Sequence, residues 1–149
     1  MDRTDIYRKF KSTQDNLIGI LHELQDSNPK NYLSEEDMKE TAKYLNTTYS
    51  HVYGVATYYT MFSVKPRGKY IIRVCNSPVC DMKESPRILD KLKALLRIEI
   101  GETTKDSLFT LELTECLGRC AVAPSMMVNK NIYGLVEIER LEGILGRYK

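Results

Sequence analysis

The chain has 149 residues, 42% of them hydrophobic and 28% charged, with a formal net charge of +2. That content suits one domain of ordinary size or two small ones, and the near balance of charge gives no ground for a nucleic-acid or anionic-membrane partner. No apolar run approaches the ~18 residues that a bilayer span needs. The opening stretch MDRTDIYRKFKSTQDN has no apolar core of a secretory signal and carries acidic residues foreign to a transit peptide, so the expectation is a cytoplasmic protein whose thiols stay reduced.

In chain order, the first sixty-odd residues read as helix. Residues 12–26 place Leu17, Ile20, Leu21 and Leu24 at helical spacing, and Asn28-Pro29 interrupts the pattern. Ser34 is a good N-cap for the next helix, with Glu35, Glu36 and Asp37 in its positively polarised first turn. Leu33 and Met38 suit a hydrophobic staple, and Met38, Ala42 and Leu45 form the apolar stripe. A third helix is expected over 49–62, which makes a small helical bundle of residues 1–65.

Pro66-Arg67-Gly68 marks a boundary, after which the period changes. Residues 69–75, KYIIRVC, read as a short buried strand. Ser85-Pro86 reads as a helix start with Ser as cap, followed by an apolar face of Ile88, Leu89, Leu92, Leu95 and Leu96. LFTLEL at 108–113 alternates as a strand does. Residues 125–128 and 134–138 are expected as two more strands joined by a turn over 129–133, with a terminal helix after them. The order β-α-β-β-β-α is that of an α/β layer with helices on a mixed sheet.

The four cysteines follow the pattern C-x4-C-x35-C-x3-C: Cys75, Cys80, Cys116 and Cys120. Both pairs fall where a strand gives way to a loop. In a reducing compartment such a set points to metal ligation before disulfides. Neither pair is the C-x-x-C of a thioredoxin dithiol, and the plant-ferredoxin run is absent. Two loops with two thiolates each would supply a [2Fe–2S] rhomb, one pair per iron. Structural zinc and unliganded buried thiols stay open on spacing alone. The loop around the second pair suits an anionic centre. Gly118 lets the backbone approach the sulfurs, Arg119 is a fixed cation, and Ala121, Val122, Ala123 and Pro124 are small apolar cover.

With YLSEEDMKETAKYL, VYGVATYYTMFSVKPRGKY, the Cys75–Cys80 loop, FTLELTECLGRCAVAP and VNKNIYG in view, the chain resembles the 24-kDa-type, NuoE-like [2Fe–2S] subunits of NADH dehydrogenases. Related subunits occur in NAD(P)-linked and electron-bifurcating hydrogenases and in NAD-dependent formate dehydrogenases. The resemblance implies an α/β chain with the helical bundle at 1–65 and a thioredoxin-like ferredoxin domain at 66–149. It also implies a [2Fe–2S] cluster on Cys75, Cys80, Cys116 and Cys120, and one-electron transfer to or from an NADH-binding flavoprotein partner that carries FMN and a [4Fe–4S] cluster. The loop Asn76-Ser77-Pro78-Val79 departs from the family's Gly-Thr-type loop, and Pro78 removes one possible N–H donor.

The chain has no GxGxxG, Walker motif or nucleophile–base pair. Nicotinamide and flavin chemistry are therefore expected on the partner, with no catalytic site here. A free-standing ferredoxin carrier and a zinc-stabilised adaptor are the competing readings. His22 and His51 read as ordinary helix residues, and Glu115 is given no role. Tyr49, Tyr53, Tyr58 and Tyr59 read as core or interface aromatics, Gly54 as a place of close backbone approach or plain helix packing, and Lys91, Lys93 and Arg97 as a solvated helix face.

Overall fold

The computed structural model describes residues 3–148, and the chain divides into two compact units, Met1–Arg67 and Gly68–Lys149. Among the described residues no helix is long and apolar enough to cross a membrane.

The first unit is helical: α1 (Arg3–Arg8), α2 (Leu17–Ser27), α3 (Glu35–Tyr44) and α4 (Tyr49–Tyr58). Its core gathers Ile6, Leu17, Ile20, Leu21, Leu24, Leu33, Met38, Ala42, Leu45, Val52, Ala56 and Phe62, so the stripes expected on α2 and α3 are the buried ones. α3 starts at a full capping box. Ser34 Oγ accepts from the Asp37 N–H at 3.1 Å, and Asp37 Oδ2 accepts from the Ser34 N–H at 2.9 Å, which satisfies two donors that a helix start leaves open. Helix α1 is an element that periodicity does not announce. Its sequence is polar, and it is held through tertiary bonds: Tyr44 Oη donates to Tyr7 O at 3.0 Å, and Arg3 Nε pairs with Asp37 at 2.9 Å. α2 begins at Leu17 rather than near 12, because residues 14–16 form a 3₁₀ turn. α4 ends at Tyr58 rather than at 62. The following segment turns back, and the Ser63 N–H bonds the buried Gln25 Oε1 at 2.8 Å.

The second unit is a four-stranded mixed sheet in the order β2-β1-β3-β4, with β1 Tyr70–Cys75, β2 Phe109–Thr114, β3 Met126–Val128 and β4 Asn131–Tyr133. β1 and β2 are parallel, and the other pairings are antiparallel. The β1-to-β2 connection carries α5 (Pro78–Asp81) and α6 (Ser85–Leu96), and α7 (Leu141–Gly146) follows the sheet. Ile72 and Val74 share one face with Phe109, Leu111, Met126 and Val128 and join Ile88, Leu92, Leu141 and Ile144 in a single core. Arg73 and Glu112, opposite each other in the register, pair at 2.9 Å on the other face.

Three expectations are corrected. The last strand is 131–133, not 134–138, because Asn129 takes a left-handed φ of 51° and turns the chain at once into the hairpin pairing Val128↔Asn131. Residues 134–136 then double back. The Leu135 and Val136 N–H groups donate to Val122 O and Pro124 O at 2.7 and 3.1 Å, and Gly134 sits so close that a Cβ there would lie 2.5 Å from Val122 Cγ2. Ser85 is the first residue of α6 rather than its cap, and its Oγ donates to Cys75 O at 2.7 Å. α5, a four-residue helix starting at Pro78, lies where a loop was expected.

Candidate metal centre

The parallel pairing places Cys75 opposite Thr114, the last residues of β1 and β2. The segments that follow therefore leave the same sheet edge, where parallel α/β folds gather functional groups. One carries Cys80 on the inward side of α5, where Pro78 suits the first helical turn. The other, 115–119, carries Cys116 and leads into the 3₁₀ turn Cys120–Val122. The Cys75 N–H donates to Ser125 O at 3.1 Å and the Asn76 N–H to Thr114 O at 2.9 Å, so the first loop is tied to both flanking strands. The Ala123–Pro124 peptide is cis.

All four cysteines are free, and they meet as two pairs in unlike settings. Cys75 and Cys80, each 1% exposed, form a small apolar pocket with Ala123, against which Leu117 packs. Cys116 and Cys120 lie in the open with sulfurs 3.6 Å apart. Three of the four sulfurs have a hydroxyl or backbone N–H beside them. Ser77 Oγ is 3.3 Å from Cys75 Sγ, Ser125 Oγ is 3.5 Å from Cys80 Sγ, and the Gly118 N–H donates to Cys116 Sγ at 3.4 Å. Gly118 has φ +70°, a backbone that glycine takes without strain.

The thiol acidities follow this geometry. Burial pushes Cys75 up, but bonds from the Ser77 hydroxyl and backbone, the Leu117 backbone and Cys80 outweigh it and bring the thiol down to about 7. The Gly118 N–H, then Cys120 and the Ser77 hydroxyl, lower Cys116. Cys120 is raised, chiefly by its hydrogen bond with Cys116. Leu117 acting on Cys75, and Ser77 on Cys116, link the two loops, as does the packing of Leu117 on the buried pair.

Among the described residues no group of three or more His, Cys, Asp or Glu side chains is placed to hold a single metal ion. The observed arrangement is two thiol pairs at one edge, with hydroxyls and backbone N–H groups as the partners of the sulfurs. A donor set of soft sulfurs ringed by N–H and O–H groups is chemically matched to a thiolate-bound iron–sulfur cluster.

The remaining expectations sort as follows. His22 packs on Phe62 with ring centroids 4.8 Å apart, and His51 is exposed on α4. Tyr53, Tyr58 and Tyr59 are exposed, Tyr58 by 79%, so core packing does not describe them. Gly54 has open space where a Cβ would sit, so no neighbour in its own unit requires a glycine there. Lys93 pairs with Glu99, as suits a solvated face. The apolar cover after Cys120 is one-sided: Ala123 is buried, Ala121 is exposed, and Val122 serves as the seat of Gly134. Sequence reasoning missed the three buried serines Ser77, Ser85 and Ser125 around the buried pair. The available signal was a serine placed inside the apolar run AVAPSMMV and another two residues after Cys75.

The fold and the paired thiols thus define an α/β domain with a sulfur-lined sheet edge. Residues 3–149 match the thioredoxin-like [2Fe-2S] ferredoxin family, and the chain belongs to that family, whose cofactor is a [2Fe–2S] cluster. It is 35% identical over 132 residues to the HndA component of the NADP-reducing hydrogenase of Solidesulfovibrio fructosivorans, covering 89% of this chain and 76% of that one. It is 37% identical over 139 residues to an NADH-quinone oxidoreductase component of Aquifex aeolicus (strain VF5), covering 93% and 86%. In fold it is similar to a chain of an NAD+-reducing [NiFe]-hydrogenase, with a TM-score of 0.80 at 19% identity over 92% of this chain. It spans only 22% of that hydrogenase chain.

Proposed function

We propose that the chain is the electron-transfer subunit of an NAD(P)H-linked oxidoreductase, with Cys75, Cys80, Cys116 and Cys120 as the ligands of its [2Fe–2S] cluster. The observation that carries this is the convergence of two thiol pairs at the end of β1 and β2 within a ring of hydrogen-bond donors. When bound, such a cluster supplies reversible one-electron transfer. The chain's own groups do the rest. β1 and β2 fix the spacing of the two loops, and Ala123 and Leu117 keep water from the buried pair. Ser77, Ser125 and the Gly118 N–H offset the negative charge of deprotonated sulfurs, and the exposed Cys116–Cys120 side opens the centre to a partner.

The partner in this reading is an NADH-binding flavoprotein that carries FMN and a [4Fe–4S] cluster. Residues 1–65 are the docking element, and residues 66–149 are the cluster domain, with no catalytic site of its own. The names of the two relatives, both components of nicotinamide-linked complexes, support this. So do the exposed aromatic and thioether side chains Tyr53, Tyr58, Tyr59 and Met61 on and after α4, since a surface rich in Tyr and Met is typical of interfaces. NADH should bleach the visible absorption of the purified chain only when the flavoprotein is added, and deleting residues 1–65 should abolish copurification while the absorption stays. Bleaching by NADH without the flavoprotein, or association that survives the deletion, would refute the assignment of partner and docking element.

A further inference from the structure

Among the described residues the buried polar side chains of the second unit are few: Ser77, Ser85, Thr110 and Ser125. Three of the four are serines bonded to the buried cysteine pair. A buried hydroxyl costs free energy unless it is bonded, and sulfur is a weak partner for it when neutral. Two of these serines nonetheless have a cysteine sulfur as their hydrogen-bond partner. Ser125, 2% exposed, has its Oγ 3.5 Å from Cys80 Sγ, and its carbonyl also accepts the Cys75 N–H at 3.1 Å. Ser77 has its Oγ 3.3 Å from Cys75 Sγ and also acts on Cys116 in the facing loop. The third serine differs. Ser85 Oγ is engaged by a backbone acceptor, Cys75 O, at 2.7 Å.

A ligating cysteine sulfur carries no proton, so in each Ser–Cys contact the hydroxyl is the donor. A bond to a charged acceptor is roughly twice as strong as a neutral one, and burial strengthens it further. Negative charge on the sulfurs grows when the centre gains an electron, so a fixed donor favours the reduced state over the oxidised one. We propose that the hydroxyls of Ser77 and Ser125 are the positioning groups that raise the electron affinity of this centre through its buried sulfurs, while Ser85 holds only the backbone. This rests on the reading of the four cysteines as the cluster's ligands.

The test uses the full chain with its cluster. Ser125→Ala and Ser77→Ala each shift the midpoint potential downward, the double variant shifts it further, and Ser77→Thr, which keeps the hydroxyl, restores it. Ser85→Ala leaves the potential where it is, although it lowers the thermal midpoint. Resonance Raman of the unaltered chain supplies a second readout that no variant has to fold for. Iron–sulfur(Cys) stretching bands shift between H2O and D2O, and the shift shrinks in Ser125→Ala. Intact clusters with unchanged potentials in both alanine variants would overturn the proposal alone, as would Raman bands insensitive to D2O. A chain that holds no cluster, or that keeps an unaltered one after Cys80→Ala and Cys116→Ala, would overturn the ligand reading beneath it.

Discussion

The Cys75–Cys80 loop and the Cys116–Cys120 loop offer the same chemistry by opposite constructions. The first is buried, rides on a short helix, and is served by serine hydroxyls. The second is exposed, runs through an open turn, and is served by a backbone N–H at a left-handed glycine. The difference teaches that a sulfur pair can be preorganised either by the hydrophobic core, which then depends on it, or by local backbone geometry, which leaves the core untouched. Under the proposed ligand assignment, one centre built from both kinds would have a sheltered side and a side open to exchange.

That contrast makes its strongest prediction for the ligands. Cys80→Ala and Cys116→Ala, which leave no ligating atom, should both abolish the visible absorption. The buried substitution should also lower the stability of the cluster-free chain by about 1–2 kcal/mol, whereas the exposed one should stay within about 0.5 kcal/mol. Denaturant unfolding of the two apo variants reads this out, and equal losses would erase the distinction. The segment that follows the second loop is tied to the fold where Gly134 sits on Val122. Gly134→Ala should cost about 1–3 kcal/mol by overpacking, while Gly143→Ala, with nothing within 4 Å of the new Cβ, should be neutral or stabilising. In the cluster-free chain, iodoacetamide should modify Cys116 and Cys120 roughly tenfold or more faster than Cys75 and Cys80, since access limits a buried thiol even when it is acidic. Peptide mass mapping gives the ratio. The smallest effect belongs to Arg119, an exposed cation beside Cys120. Arg119→Ala should lower the midpoint potential slightly, less so at high salt; an upward shift would contradict the electrostatic account.

Much of this was legible from residue patterns. The α2 and α3 stripes, the N-cap at Ser34, the strand at 70–75 and the α6 face all follow from periodicity and capping chemistry, which are local. The hairpin at 126–133 escapes a pattern reading because Asn129 turns the chain in a left-handed conformation, and because residues 134–136 are held by carbonyls of a distant segment. α1 escapes it because its anchors, Tyr44 and Asp37, are more than thirty residues away. At the site, cysteine spacing pointed to the sulfurs. It did not point to the serines, whose role depends on which hydroxyls the fold buries against them.

The most direct measurement is iron and acid-labile sulfide analysis of the purified full-length chain, with an EPR spectrum taken after anaerobic reduction. The account predicts the iron-to-sulfide ratio of a [2Fe–2S] cluster, a coloured oxidised form, and a spin-½ signal that appears on one-electron reduction. A colourless chain that holds zinc, or no metal at all, would contradict it.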